Sequence, residues 1–113
     1  MESFGHSMKG LRETFRNEMA FRIELIAAVI LVPTALILSV SPIVRIILIC
    51  SVFLVLIVEL FNTGIETVAN RISTVQHYLS GRAKDAASAA VFVASLNLVF
   101  VWGTVSFDLI LNK

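Results

Sequence analysis

The chain has 113 residues, of which 58% are hydrophobic and 15% are charged, with a formal net charge of +1. A chain of this length allows one domain, and a soluble domain of that size has too little interior to hide so much apolar surface. One cysteine excludes a disulfide framework, and the lack of a basic tract argues against nucleic-acid binding. Residues 1–113 are therefore predicted to form a single all-α membrane domain.

The first 24 residues predict an amphipathic helix that lies on the membrane surface. Apolar residues recur there at spacings of three and four, with charged residues between them: Met8, Leu11, Phe15, Met19 and Ile23. A helix with this pattern buries its apolar face at the boundary between headgroups and acyl chains. The i, i+4 spacing of Glu18 and Arg22 also predicts an ion pair near its end.

Three apolar runs predict transmembrane helices at about 25–44, 45–70 and 86–107. Only the last contains a run that crosses a hydrocarbon core of ~30 Å unaided, and the second needs its polar extension to do so. Residues 39–42 predict a short turn between the first two spans. The first part of the segment 71–85 lacks clear apolar periodicity. This segment is therefore predicted to form a loop.

Basic residues are distributed unequally over these segments. Seven of them precede the first span or lie between the second and third: Lys9, Arg12, Arg16, Arg22, Arg71, Arg82 and Lys84. Only Arg45 and Lys113 fall on the other side. The positive-inside rule therefore predicts a cytoplasmic N-terminus, a cytoplasmic 71–85 loop and an external C-terminus. Trp102 then lies near the outer end of the third span, a position typical of an interfacial anchor.

The second span ends in an unusually polar stretch, "VELFNTGIETVANRI", at residues 58–72. Glu59, Asn62, Glu66 and Asn70 fall within a helical sector of roughly 80°, at 100° per residue. An ionised side chain at the bilayer centre costs at least ~3 kcal/mol, so aligned carboxylates are expected to face the bundle interior or a wet cavity. This polar stripe is either a seam that holds helices together or part of a functional site.

Polar residues from two other segments are expected at the same depth as Glu66. Glu18 ends the surface helix, and Lys84-Asp85 leads into the third span. Carboxylates close to a lysine suit Mg²⁺ bound with phosphate, because this ion keeps several waters and needs only one or two carboxylates. Glu59 lies about 10 Å deeper along its helix, where it can accept a proton from a lipid hydroxyl. The phosphate-binding motifs of soluble kinases do not occur.

Together these stretches resemble the prokaryotic diacylglycerol kinases, a family of small three-helix integral membrane enzymes. Four motifs carry the resemblance, which covers about residues 6–107: "KGLR" at 9–12, "NEMAFRIE" at 17–24, "VELFNTGIETVANRI" at 58–72 and "HYLSGRAKDAASAAV" at 77–91. The resemblance implies ATP-dependent phosphorylation of diacylglycerol with the help of Mg²⁺. It also implies a homotrimer in the bacterial inner membrane, with active sites shared between subunits.

The same resemblance implies roles for individual residues. Glu59 matches the family's catalytic base, with Asn62 as a supporting residue, and Glu18 and Glu66 match carboxylates that hold the metal of MgATP. The other positions that match nucleotide contacts are Gln76, His77, Lys84 and Asp85. The positions that match the lipid site are Arg12, Phe15, Arg22, Glu24, Arg45, Glu59, Ser88 and Trp102.

Two alternative functions stay open at the level of sequence. Some members of the family phosphorylate undecaprenol, although the Ser80-Gly81-Arg82 step favours the diacylglycerol branch. In a different class, the polar stripe lines an ion or proton path in a small oligomeric transporter. A transporter does not require Lys84-Asp85 or an interfacial Glu18, and these residues favour the kinase.

Overall fold

The computed structural model describes residues 2–72 and 77–112, and within them every regular element is an α-helix. The four helices are α1 (Glu2–Asn17), α2 (Met19–Ile37), α3 (Pro42–Ile72) and α4 (His77–Leu111). The last three are long and apolar enough to cross a membrane. The prediction of a surface helix followed by three spans is thereby confirmed, although the helix ends differ from the predicted bounds.

The surface helix ends at Asn17, earlier than the predicted residue 24. Glu18 has an extended backbone, with φ −116° and ψ 111°, and separates α1 from α2. The Arg22 guanidinium reaches back from α2 and donates hydrogen bonds to the carbonyls of Phe15 (2.9 Å) and Arg16 (2.8 Å). These carbonyls lie in the last turn of α1 and have no partner within the helix. Arg22 therefore caps α1, and the predicted ion pair between Glu18 and Arg22 is wrong.

The turn between α2 and α3 is held by one arginine. The Arg45 side chain donates hydrogen bonds to the carbonyls of Ala35 (3.0 Å), Leu38 (2.7 Å) and Val40 (3.4 Å). Since the final carbonyls of a helix need partners from elsewhere, Arg45 satisfies the end of α2 and fixes the reversal of the chain. The short turn predicted at residues 39–42 is confirmed.

Buried residues follow a seven-residue spacing on the two outer spans. On α2 they are Phe21, Ala28 and Ala35, and on α4 they are Ser80, Ala87 and Ala94. This spacing keeps one narrow face of each helix against α3, and the alanines allow the backbones to approach closely. The central α3 contacts both neighbours and provides the core residues Leu48, Val52, Val55 and Leu56.

The predicted loop at 71–85 is helical at its start and over most of its length. Arg71 and Ile72 still belong to α3, and α4 begins at His77; residues 73–76 lie outside the described part of the chain. Leu79, Ser80 and Ala83 of α4 line an apolar groove of about 510 Å³ together with the last turns of α3. In the structure α4 contacts α3 and begins well before the apolar run at Ala86, so hydropathy alone placed its start too late.

Candidate active site

Four carboxylates converge where α1 meets α2 and where α3 leaves the apolar part of the bundle. Glu59 is only 6% exposed on α3, one turn beyond the core residues Val55 and Leu56. Glu24, Glu18 and Glu66 lie near enough for their charges to act on Glu59. Glu18 and Glu24 flank the start of α2, while Glu59 and Glu66 lie two turns apart on α3. The structure thus brings together carboxylates that the sequence places far apart.

Glu18 reaches this cluster because of the break in the chain. Its backbone is extended and its side chain is half-buried, and the cap formed by Arg22 holds α1 beside the start of α2. Glu66 is also half-buried. Mutual repulsion makes such a cluster unfavourable unless protons or cations neutralise part of its charge. Partial neutralisation of this charge by protons or by a cation is therefore expected.

A second group of polar residues lies where α3 meets the beginning of α4. Lys84 donates a hydrogen bond from Nζ to Oδ1 of Asn70, with a distance of 2.8 Å. Asp85 follows directly and is exposed. It lines an open concave surface of about 470 Å³ with Tyr78, Gly81 and Arg82. Asn70 lies about 16 Å beyond Glu59 along the axis of α3, so this group forms the outer end of the polar stripe.

Two buried polar atoms beside Glu59 have no hydrogen-bond partner in the structure. They are Oδ1 of Asn62 and Oγ1 of Thr63. Thr63 also lines a groove of about 460 Å³ between α1 and α3, to which Ser7 and Thr14 contribute. Buried acceptors without a partner are rare and call for an explanation, such as a donor supplied by a ligand, by water or by another chain. Both unpaired atoms indicate that the hydrogen bonding around Glu59 is incomplete within one chain.

Trp102 occupies a different environment from the one that its sequence position suggests. Its Nε1 donates to the Leu48 carbonyl and to Oγ of Ser51, each at 3.2 Å, and the half-buried ring packs against the core. The predicted interfacial anchor is therefore wrong, because the indole hydrogen bond is made inside the bundle. The signal that the sequence offered was Ser51, a hydroxyl within an apolar run.

The predicted lipid-site residues are spread over the molecule within one chain. Arg12 and Phe15 are exposed on α1, and Ser88 is exposed on α4. Arg45 lies at the opposite end of α3, about 30 Å from Glu66 along the helix axis. The predicted nucleotide contact at Gln76 lies outside the described residues, as does the side chain of His77. One chain thus unites the carboxylates but does not unite all of the predicted lipid contacts.

A metal site complete within one chain is not evident in the part of the chain that the structure describes. No group of three or more His, Cys, Asp or Glu side chains there is arranged to hold a metal ion. The donors nevertheless fit Mg²⁺, which binds oxygen and requires only one or two carboxylates alongside water and phosphate. Glu18 and Glu66, each half-buried, are the carboxylates that would hold the ion.

These features define a small multi-pass membrane protein with an acidic site at one end of its helix bundle. Its sequence matches the family described as "Prokaryotic diacylglycerol kinase" over residues 5–106. The chain belongs to the prokaryotic diacylglycerol kinase family. It is an enzyme, a membrane lipid kinase, and the family resemblance predicted from its motifs is confirmed.

Similar proteins named diacylglycerol kinase occur in several bacteria. The one from Haemophilus influenzae is 46% identical over 107 residues, which cover 95% of this chain and 91% of that protein. The one from Escherichia coli K12 is 48% identical over 102 residues, which cover 90% of this chain and 84% of that protein. The one from Pseudomonas aeruginosa is 41% identical over 105 residues, 93% of this chain and 85% of that protein.

Proposed function

We propose that this protein transfers the γ-phosphoryl group of ATP to the primary hydroxyl of diacylglycerol, which yields phosphatidic acid and ADP. The observation that carries the proposal is the placement of Glu59. It is a carboxylate buried to 6% exposure at the apolar end of an acidic cluster, with Lys84 further along the same helix pair. The relatives' shared name, diacylglycerol kinase, supports this choice of lipid.

Glu59 acts as the general base in this proposal. As the lipid oxygen bonds to the γ-phosphorus, its hydroxyl proton passes to the Glu59 carboxylate, and the bond from the γ-phosphorus to the bridging oxygen of ADP breaks. A general base must lie within hydrogen-bond reach of the proton that it takes. The burial of Glu59, compared with the half-buried Glu18 and Glu66, supports its assignment as the group that meets a membrane-embedded hydroxyl.

The remaining polar residues hold the nucleotide. Glu18 and Glu66 would hold Mg²⁺, which when bound neutralises charge on the phosphates. Lys84 contributes a positive charge for phosphate oxygens, and Asp85 contacts the nucleotide from the adjacent position. Phosphoryl transfer depends chiefly on positioning and charge neutralisation, so a site made of carboxylates and one lysine is chemically sufficient.

We further propose a homotrimer in the bacterial inner membrane, with the N-terminus and residues 71–85 on the cytoplasmic side and the C-terminus outside. Seven basic residues lie on the proposed cytoplasmic side and two on the other side, which supports this orientation. The unpaired Asn62 and Thr63 atoms and the scattered lipid-site positions support a site completed by neighbouring chains. A shared site at the interface lets an apolar lipid and a charged nucleotide react without either leaving its own phase.

Offering diacylglycerol and undecaprenol separately to the purified protein with MgATP tests the proposed substrate. Diacylglycerol is expected to be phosphorylated far better, as measured by phosphatidic acid formation. A preference for undecaprenol would assign the protein to the polyprenol kinases and retain the lipid-kinase class. Phosphorylation of neither lipid, by protein that is folded and assembled, would overturn the proposal in favour of a conduit or structural role.

A further inference from the structure

Asn70 is the one member of the polar stripe to which the proposed reaction assigns no role. It lies in the last turn of α3, and its Oδ1 accepts the hydrogen bond from Lys84 Nζ at 2.8 Å. We infer that Asn70 is a positioning residue, which holds the Lys84 ammonium where it meets the phosphates of the nucleotide. This inference rests on the proposed function, because it takes Lys84 to contact ATP.

Lys84 needs such a partner because of its flexible side chain. Fixing a lysine side chain costs up to about 2 kcal/mol of rotamer entropy, so an unrestrained ammonium meets its ligand weakly. Lys84 is half-buried on α4, and its hydrogen bond to α3 crosses from one helix to the next. The bond therefore restricts the ammonium to the side of α4 that faces the polar stripe.

The amide of Asn70 is suited to this task. An ammonium group has three donors, so one bond to Oδ1 leaves two for phosphate oxygens. The amide is neutral and leaves the positive charge of Lys84 available. Asn70 also follows Glu66 by four residues, which places both side chains on one face of α3 about 6 Å apart. The proposed metal ligand and the held ammonium thus approach a polyphosphate chain from the same face.

The competing interpretation is a structural link that joins the ends of α3 and α4. Such a link affects the stability of the helix pair but has no specific effect on the nucleotide. The two interpretations differ in the Michaelis constant (KM) for MgATP, measured on the intact, assembled protein at saturating diacylglycerol. The KM for diacylglycerol, the kcat and the melting temperature in detergent are measured on the same samples.

Three single variants separate these effects. Asn70→Leu removes the acceptor at similar size and is expected to raise the KM for MgATP about 3- to 10-fold, the size of one net hydrogen bond, with little change in the KM for diacylglycerol. Asn70→Gln keeps a neutral amide acceptor and is expected to restore part of the affinity. Thr67→Val is the control and is expected to leave the KM for MgATP unchanged, because the Thr67 hydroxyl lies one turn before Asn70 and donates to the Thr63 carbonyl at 2.8 Å.

A double variant decides whether Asn70 acts through Lys84. Lys84→Met is expected to raise the KM for MgATP, and adding Asn70→Leu to it should cause no further increase, because the two residues form one unit. Independent, multiplying effects would overturn the inference, as would a lower melting temperature in Asn70→Leu with an unchanged KM. If Asn70→Leu has wild-type kinetics while Lys84→Met raises the KM for MgATP, the inference about Asn70 is overturned. The proposed function is then left intact. Failure of the wild-type protein to use ATP would overturn both.

Discussion

At the scale of single residues, Glu59 is the position that most requires a functional explanation. It is buried beside an apolar core, although a charged group at membrane depth costs at least ~3 kcal/mol. Three other carboxylates act on it and add repulsion to that cost. A glutamine of the same shape would avoid both penalties. The proposed role of Glu59 as a proton acceptor gives a reason for a carboxylate at this position.

Replacement of this carboxylate tests its role. Glu59→Gln should leave an assembled protein that binds MgATP but turns over at least ~100-fold more slowly, the usual size of the loss of a general base. Glu13→Gln makes the same chemical change at an exposed position on α1 and should have no such effect. Both rates are measured as phosphatidic acid formed per assembled protein. Near-normal turnover in Glu59→Gln would rule out Glu59 as the base.

Glu18 and Glu66 are expected to act on the nucleotide side. Glu18→Gln and Glu66→Gln should each raise the Mg²⁺ and ATP concentrations that give half-maximal rate, because the proposed site has few carboxylates to lose. Titrations of Mg²⁺ and ATP at fixed diacylglycerol measure this shift. A change in the half-saturating lipid concentration alone would instead assign these residues to the lipid.

At the scale of helices, the seven-residue spacing of buried small residues determines how closely the spans pack. Ala94 is 3% exposed on α4, where it faces α3. Ala94→Leu should lower stability by about 1–3 kcal/mol through overpacking. Ala90→Leu adds the same volume at an exposed position one turn earlier and serves as the control. Thermal unfolding in one detergent compares them, and equal melting temperatures would contradict the proposed packing face.

The same helices show what the sequence can predict. The three spans and the stripe of Glu59, Asn62 and Glu66 follow from hydropathy and from helical periodicity, which are local properties. The break at Glu18 depends on Arg22 reaching back across it, and the early start of α4 depends on packing against α3. Both are tertiary effects, so they are not encoded in the hydropathy of either segment.

The candidate site also has a part that could be predicted from the sequence and a part that depends on tertiary contacts. Sequence reasoning identified Glu18, Glu59 and Glu66 because their types and spacing suit a metal-assisted transfer, and the structure places Glu59 among these carboxylates. The position of Trp102 inside the bundle was missed, because a tryptophan near a span end looks the same whether it bonds to lipid headgroups or to Ser51. The link from Lys84 to Asn70 was also beyond prediction, since it depends on the register between two helices.

At the scale of the whole molecule, a single chain does not complete the candidate site. Large apolar side chains are exposed on every helix, and the Asn62 amide oxygen beside Glu59 is unpaired. The proposed trimer predicts that residues from different chains share one site. Inactive Glu59→Gln and inactive Asp85→Asn chains, unfolded and reassembled together, should then regain part of the activity. Mixed trimers that form but remain inactive would show that each site lies within one chain.

The proposed reaction of this bundle is the transfer of phosphate from ATP to a lipid hydroxyl. The most direct test supplies the purified wild-type protein with diacylglycerol, Mg²⁺ and ATP labelled at the γ-phosphorus, and then measures the label in the extracted lipid. Label is expected to appear in phosphatidic acid, and only when Mg²⁺ is present. A folded, assembled protein that leaves all of the label in the aqueous phase would contradict the proposed reaction.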